Sequence, residues 1–176
     1  MTDRPNDALL LFGKGLTFIL QTLSGLAGAV FLALIPILAL AGRAILEGTD
    51  VVRMMEASPL TVALLLVMLA WIVICLFLFF GKMRALIDST GDGDPFIPEN
   101  ARRLNAMAWL LLAVQVLSVP VGLLRAGLAN LVTDGDNRID FSIYDLEGLL
   151  LVIVLLILAR IFRIGTAMRT DLEGTV

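Results

Sequence analysis

The chain has 176 residues, 59% of them hydrophobic and 16% charged, with a net charge of −3 at pH 7 and a mean hydropathy of +0.97. A soluble domain carries roughly 45–50% apolar and about 25% charged residues, and a globule needs polar surface to face water, so this excess points to a polytopic membrane protein. The absence of histidine excludes His-dependent catalysis, the single cysteine excludes intrachain disulfides and thiolate zinc sites, and the negative balance gives no basis for direct nucleic-acid binding.

A membrane-spanning helix needs about 20 consecutive apolar residues. The first candidate span covers 16–41, with Gln21 and Ser24 as its most polar members. It is too long for the apolar region of a signal peptide, and Asp3 and Asp7 precede it where a basic segment would be needed, so it is expected to persist as a mature helix. Along it, Ser24 with Gly28, Gly25 with Ala29, and Ala29 with Ala33 form small-xxx-small pairs, which let two backbones approach closely. Packing within the same bundle is the simpler use of that stripe, and a homo-oligomer contact is the alternative. The following segment, 50–57, mixes Val51, Val52, Met54 and Met55 with Asp50, Arg53 and Glu56, a pattern that suits a short interfacial helix or a plain loop.

The second span, 60–80, contains no charge and holds Cys75, which reads as a small apolar packing residue. A long polar connection follows. Asp88-Ser-Thr-Gly-Asp-Gly-Asp94 is turn-forming, Pro95 and Pro98 stop regular structure, and Phe96 is a large ring among polar neighbours. Pro98-Glu99-Asn100 reads as a helix start, since proline lacks only an N–H that would go unused and the helix dipole favours a carboxylate there. Arg102 and Arg103 follow on that helix, so the third span, 104–125, begins before it enters lipid. Gln115 lies at membrane depth and needs a partner, most simply an interhelical hydrogen bond, while Pro120 and Gly122 can bend the helix.

Between the third and fourth spans, Asp134-Gly-Asp-Asn leads into Arg138-Ile-Asp-Phe-Ser-Ile-Tyr144, whose alternation of apolar and polar residues predicts a small β-hairpin-like segment. Asp134, Asp136 and Asp140 have part of the spacing of a calcium loop, but Val132 and Ile143 stand where its first and last ligands belong. The fourth span, 146–166, carries Arg160 and Arg163, whose stems can lie along lipid while the guanidinium groups reach the headgroups. The fold class expected is therefore an all-α, single-domain, four-helix transmembrane bundle.

Orientation follows from basic residues in the short connections. Arg4 and Lys14, then Lys82, Arg84, Arg102 and Arg103, then Arg160, Arg163 and Arg169 outnumber Arg43, Arg53, Arg125 and Arg138 on the other side. Both termini are expected in the cytoplasm, leaving the outer loops net negative.

The chain resembles a bacterial membrane family known as domain of unknown function 2975. The resemblance rests on Gly93-Asp-Pro-Phe-Ile-Pro-Glu-Asn-Ala-Arg-Arg-Leu104 and on Ala159-Arg-Ile-Phe-Arg-Ile-Gly-Thr-Ala-Met-Arg-Thr-Asp-Leu-Glu-Gly-Thr-Val176. It implies a bacterial cytoplasmic membrane and, because such proteins are often encoded beside a small Cro/C1-type helix-turn-helix regulator, a cytosolic partner. It supplies no catalytic residues. Asp94, Phe96, Glu99, Asn100, Arg102, Arg103, Arg169, Asp171 and Glu173 are the docking residues expected on that reading.

Two functions are carried forward. One is a non-enzymatic sensor, regulatory or accessory protein that holds such a regulator; the other is a small oligomeric transporter or channel lined by Gln21, Ser24, Gln115 and Ser118. With no histidine and no acid within an apolar span, no nucleophile and base pair can be named and no cofactor is expected.

Overall fold

The computed structural model describes residues 7–45, 47, 49–91, 95–132 and 144–173. Five helices follow in chain order: α1 (Asp7–Ile45), α2 (Asp50–Ala57), α3 (Pro59–Gly91), α4 (Pro98–Val132) and α5 (Tyr144–Glu173). All four predicted spans are helical, and α1, α3, α4 and α5 are each long and apolar enough to cross a membrane. The described residues contain no strand. The expected hairpin and the Asp134, Asp136 and Asp140 carboxylates lie outside the described residues.

Each long helix outruns its predicted span. The shortest, α5, has 30 residues and the longest, α1, has 39; at 1.5 Å per residue these reach roughly 45 and 58 Å, against about 30 Å of hydrocarbon. The apolar run fixes only the part that sits in lipid, and the backbone ladder continues until a breaker stops it. Thus α3 begins at Pro59, runs through Asp88, Ser89 and Thr90, and stops at Gly91. The Thr90 hydroxyl donates to the Leu86 carbonyl at 2.9 Å, and the Ser89 hydroxyl shares its proton between that carbonyl at 2.8 Å and Asn100 Oδ1 at 2.9 Å, so both side chains are satisfied without leaving the helix. The turn therefore starts later than the composition of 88–94 predicts. Helix α4 starts at Pro98 as expected and continues without a break through Pro120.

Helix α2 is a short amphipathic helix rather than a plain loop. The Ser58 N–H donates to the Met54 carbonyl at 2.9 Å and closes it, while the Ser58 and Thr61 hydroxyls lie 2.6 Å apart at the start of α3. It rests on α3 and α4.

The bundle is open. Helix α1 packs on α3, α3 on α4, and α4 on α5, so neighbours in sequence are neighbours in space, and α1 and α5 flank the row without packing extensively on each other. The buried core lies mainly between α4 and α5, where Leu104, Met107, Ala108, Val152, Leu155 and Ala159 meet, with Phe79, Met83 and Leu86 of α3 packed against them. Elsewhere large apolar side chains face outward, including Leu40 (89% exposed), Trp71 (57%) and Trp109 (61%). Lipid, not water, suits such a surface.

Candidate functional site

The end of the bundle that holds the α3–α4 connection, the start of α1 and the end of α5 contains most of the predicted docking residues. At its centre is Asn100, on the first turn of α4 and fully buried. Its amide nitrogen donates to the Pro95 carbonyl at 2.9 Å, and its side-chain oxygen accepts from Ser89 Oγ at 2.9 Å and Arg103 Nη1 at 2.8 Å. Arg103 Nη1 also donates to the Ala85 carbonyl at 2.9 Å. One amide thus ties the end of α3, the connection and the start of α4 into a latch. Asn100 and Arg103 are consumed by it and present little to a partner.

Phe96 sits just outside the latch. Its ring packs against Phe162 of α5 with centroids 5.3 Å apart, and it lies over Gly165, where an added Cβ would come within 2.8 Å of the ring. The Thr166 hydroxyl donates to the Phe162 carbonyl at 2.8 Å and approaches the Phe96 carbonyl at 3.3 Å. Phe96 as a residue remains 43% exposed. Glu99 and Arg102 are exposed on the outer side of the same turn, 3.8 Å apart. Arg169 and Asp171 are exposed on the last turns of α5. Asp94 lies outside the described residues, as does the Glu173 side chain.

The same end is tied to α1. Lys14 Nζ is 2.6 Å from Asp88 Oδ1, and the Arg84 guanidinium stands over the Phe18 ring at 5.2 Å from its centroid. Thr17, 2% exposed, donates its hydroxyl to the Gly13 carbonyl at 2.8 Å. Both ion-pair partners are part-exposed, so the Lys14–Asp88 contact contributes at most about 1 kcal/mol. Its role is to register α1 on α3.

At membrane depth the two glutamines share an arrangement that sequence reasoning missed. Gln21 of α1 lies against Gly81 of α3, with an added Cβ meeting its amide nitrogen at 3.1 Å, and Gln115 of α4 fills the space above Gly148 of α5 so completely that a Cβ there would overlap the amide. Each is seated on a glycine of the next helix rather than paired with a second polar side chain among the described residues. The signal was weak: Gly81 and Gly148 stand at the edges of apolar runs, and nothing in spacing says which side chain will cover them.

The small-residue stripe of α1 faces α3. Gly25 would place a Cβ 3.2 Å from the Phe77 ring and Gly28 one 3.6 Å from Val73. Ser24, Gly25, Gly28 and Ala29 line one wall of a groove of about 300 Å³ whose other wall is Val73, Ile74 and Phe77. Ala33 is exposed one turn further along. Arg160 and Arg163 are both exposed on α5. Cys75 is buried and free. Among the described residues no group of three or more His, Cys, Asp or Glu side chains could hold a metal ion.

Four long apolar helices and a lipid-suited surface define a multi-pass helical membrane protein. Residues 49–176 match the model of the family described as "Protein of unknown function (DUF2975)", and the chain belongs to that family. The match takes in α2 through the end of α5 and so includes the latch and the Phe96–Gly165 contact. No curated protein and no solved structure matches it.

Proposed function

We propose that the protein is a non-enzymatic regulatory or accessory component of a bacterial cytoplasmic membrane, with both termini inside, and that it engages a cytosolic helix-turn-helix regulator through the α3–α4 connection and the end of α5. The observation that supports this reading is the rigid presentation of Phe96, Glu99 and Arg102. The buried Asn100 latch fixes the backbone beneath them, and α5 braces the ring from the side. A preorganised exposed aromatic beside charged side chains is the composition that interface hot spots favour, because little ordering entropy is lost on binding. Arg169, exposed one turn beyond Gly165 on the side of α5 that Phe96 covers, widens the same face.

The test uses exposed residues, because removing Asn100 or Arg103 would disturb the fold itself. Membranes carrying the full-length protein retain the neighbouring regulator in a mild-detergent pulldown, and the F96A/E99A/R102A variant, expressed to the same level, releases it and changes transcription of its target. Equal retention by wild type and variant, with unchanged transcription, would overturn the reading.

A further inference from the structure

We infer that the groove between the first turn of α4 and the end of α5 binds the phosphate of an anionic phospholipid headgroup. The groove measures about 340 Å³ and is lined by Pro98, Ala101, Arg102, Arg163, Thr166 and Ala167. Arg102 and Arg163 line it from different helices, and no acidic side chain is among the described lining residues. Planar guanidinium forks match phosphate oxygens better than any other cationic side chain.

Both arginines are available. Arg163 has no hydrogen-bond or ion-pair partner among the described residues. Among the described residues Arg102 has only Glu99 at 3.8 Å, with the two side chains 81% and 54% exposed, a loose i,i+3 pair that a doubly paired phosphate can displace. The Thr166 proton is already committed to the Phe162 carbonyl, which leaves the arginines as the side-chain donors. The first turn of α4 adds the positive end of a helix dipole to the same sign of field.

The surroundings favour a lipid over a free anion. On α5, Leu156 (40% exposed) and Leu149 (43%) stand two and four turns before Arg163 on the same helical face and form an exposed apolar flank. An acyl chain can lie along that flank while the arginine stems reach headgroup depth, an arrangement that free phosphate would leave unused. The groove shares Arg102 with the docking face proposed above, so the test contains no soluble partner and its outcome is read separately from the pulldown.

The purified full-length protein in detergent is titrated with phosphatidylglycerol and, separately, phosphatidylcholine of the same acyl chains, and bound lipid is read by native mass spectrometry. Wild type retains phosphatidylglycerol on the order of tenfold better, the scale expected of two guanidinium contacts. R102Q/R163Q loses that preference, and A167F, which keeps both charges but fills the groove from an exposed position, lowers retention as well. K82Q, which removes an exposed charge on α3 away from the groove, keeps the preference. No preference in wild type, a preference unchanged in R102Q/R163Q or in A167F, or an equal loss in K82Q would overturn the site. Displacement of phosphatidylglycerol by millimolar inorganic phosphate would assign the groove to a free anion and overturn the lipid.

Discussion

Asn100 is the residue on which the α3–α4 connection depends, because its single amide satisfies a carbonyl, a hydroxyl and a guanidinium at once. Replacing it with alanine deletes these bonds and leaves buried groups unsatisfied, each at about 1–3 kcal/mol. N100A is therefore expected to lose about 2–4 kcal/mol, read as a lowered midpoint of thermal or detergent-induced unfolding, and a midpoint equal to wild type would show that the latch contributes nothing. Phe96 and Gly165 form a second residue-scale device with a coupled outcome. G165A forces a Cβ to within 2.8 Å of the ring, so it destabilises by about 1–3 kcal/mol in the native background. In an F96A background the clash is absent and the same change becomes neutral or slightly stabilising. A double-mutant cycle with no coupling would refute the contact.

At the scale of elements, neighbouring helices approach through glycines that accept a side chain from the next helix. Gly148 beneath Gln115 is the tightest of these seats. Alanine is favoured over glycine in a helix by about 1 kcal/mol, yet at 148 it must expel the amide. G148A is expected to lower stability alone and to raise it when combined with Q115A, as reported by unfolding midpoints in one detergent. Gly127 of α4 supplies the contrast: among the described residues no side chain or neighbouring helix lies within 4 Å of its added Cβ, so G127A should stabilise by about 0.5–1 kcal/mol through backbone entropy alone. If both glycines respond alike, packing does not distinguish them. The lengths of the helices belong to this scale too. Their polar ends project past the hydrocarbon, and that projection is what brings Lys14 to Asp88 and Phe96 to Gly165.

At the scale of the whole molecule, an open row of helices leaves the outer faces of α1 and α5 to lipid or to other chains, since among the described residues little closes the row. Both termini are expected on the cytoplasmic side, because the basic residues concentrate at that end of the bundle. Single cysteines placed in a C75A background test this. A membrane-impermeant maleimide added to intact cells should label E47C, between α1 and α2, and should reach R169C near the end of α5 only after permeabilisation. The reverse pattern would invert the protein and remove the cytoplasmic docking face. Much of this architecture was legible in advance: the four spans and the start of α4 at Pro98 follow from local composition, while the choice between helix and loop for α2 did not. The latch was not. Asn100 and Arg103 read from sequence as docking residues, whereas Asn100 is buried and Arg103 bonds to the end of α3.

The amino-acid sequence by itself determined that this chain is a helical membrane protein, because hydropathy and breaker residues act locally and additively along the chain. Glycine, glutamine and asparagine carry no such local instruction. Whether an amide faces lipid, a partner or a glycine depends on which helix lies across from it, and only tertiary structure decides that. Hence the pairing of Gln21 with Gly81, of Gln115 with Gly148 and of Phe96 with Gly165, the burial of Asn100, and the meeting of Arg102 with Arg163 across one groove emerged only once the helices were set side by side.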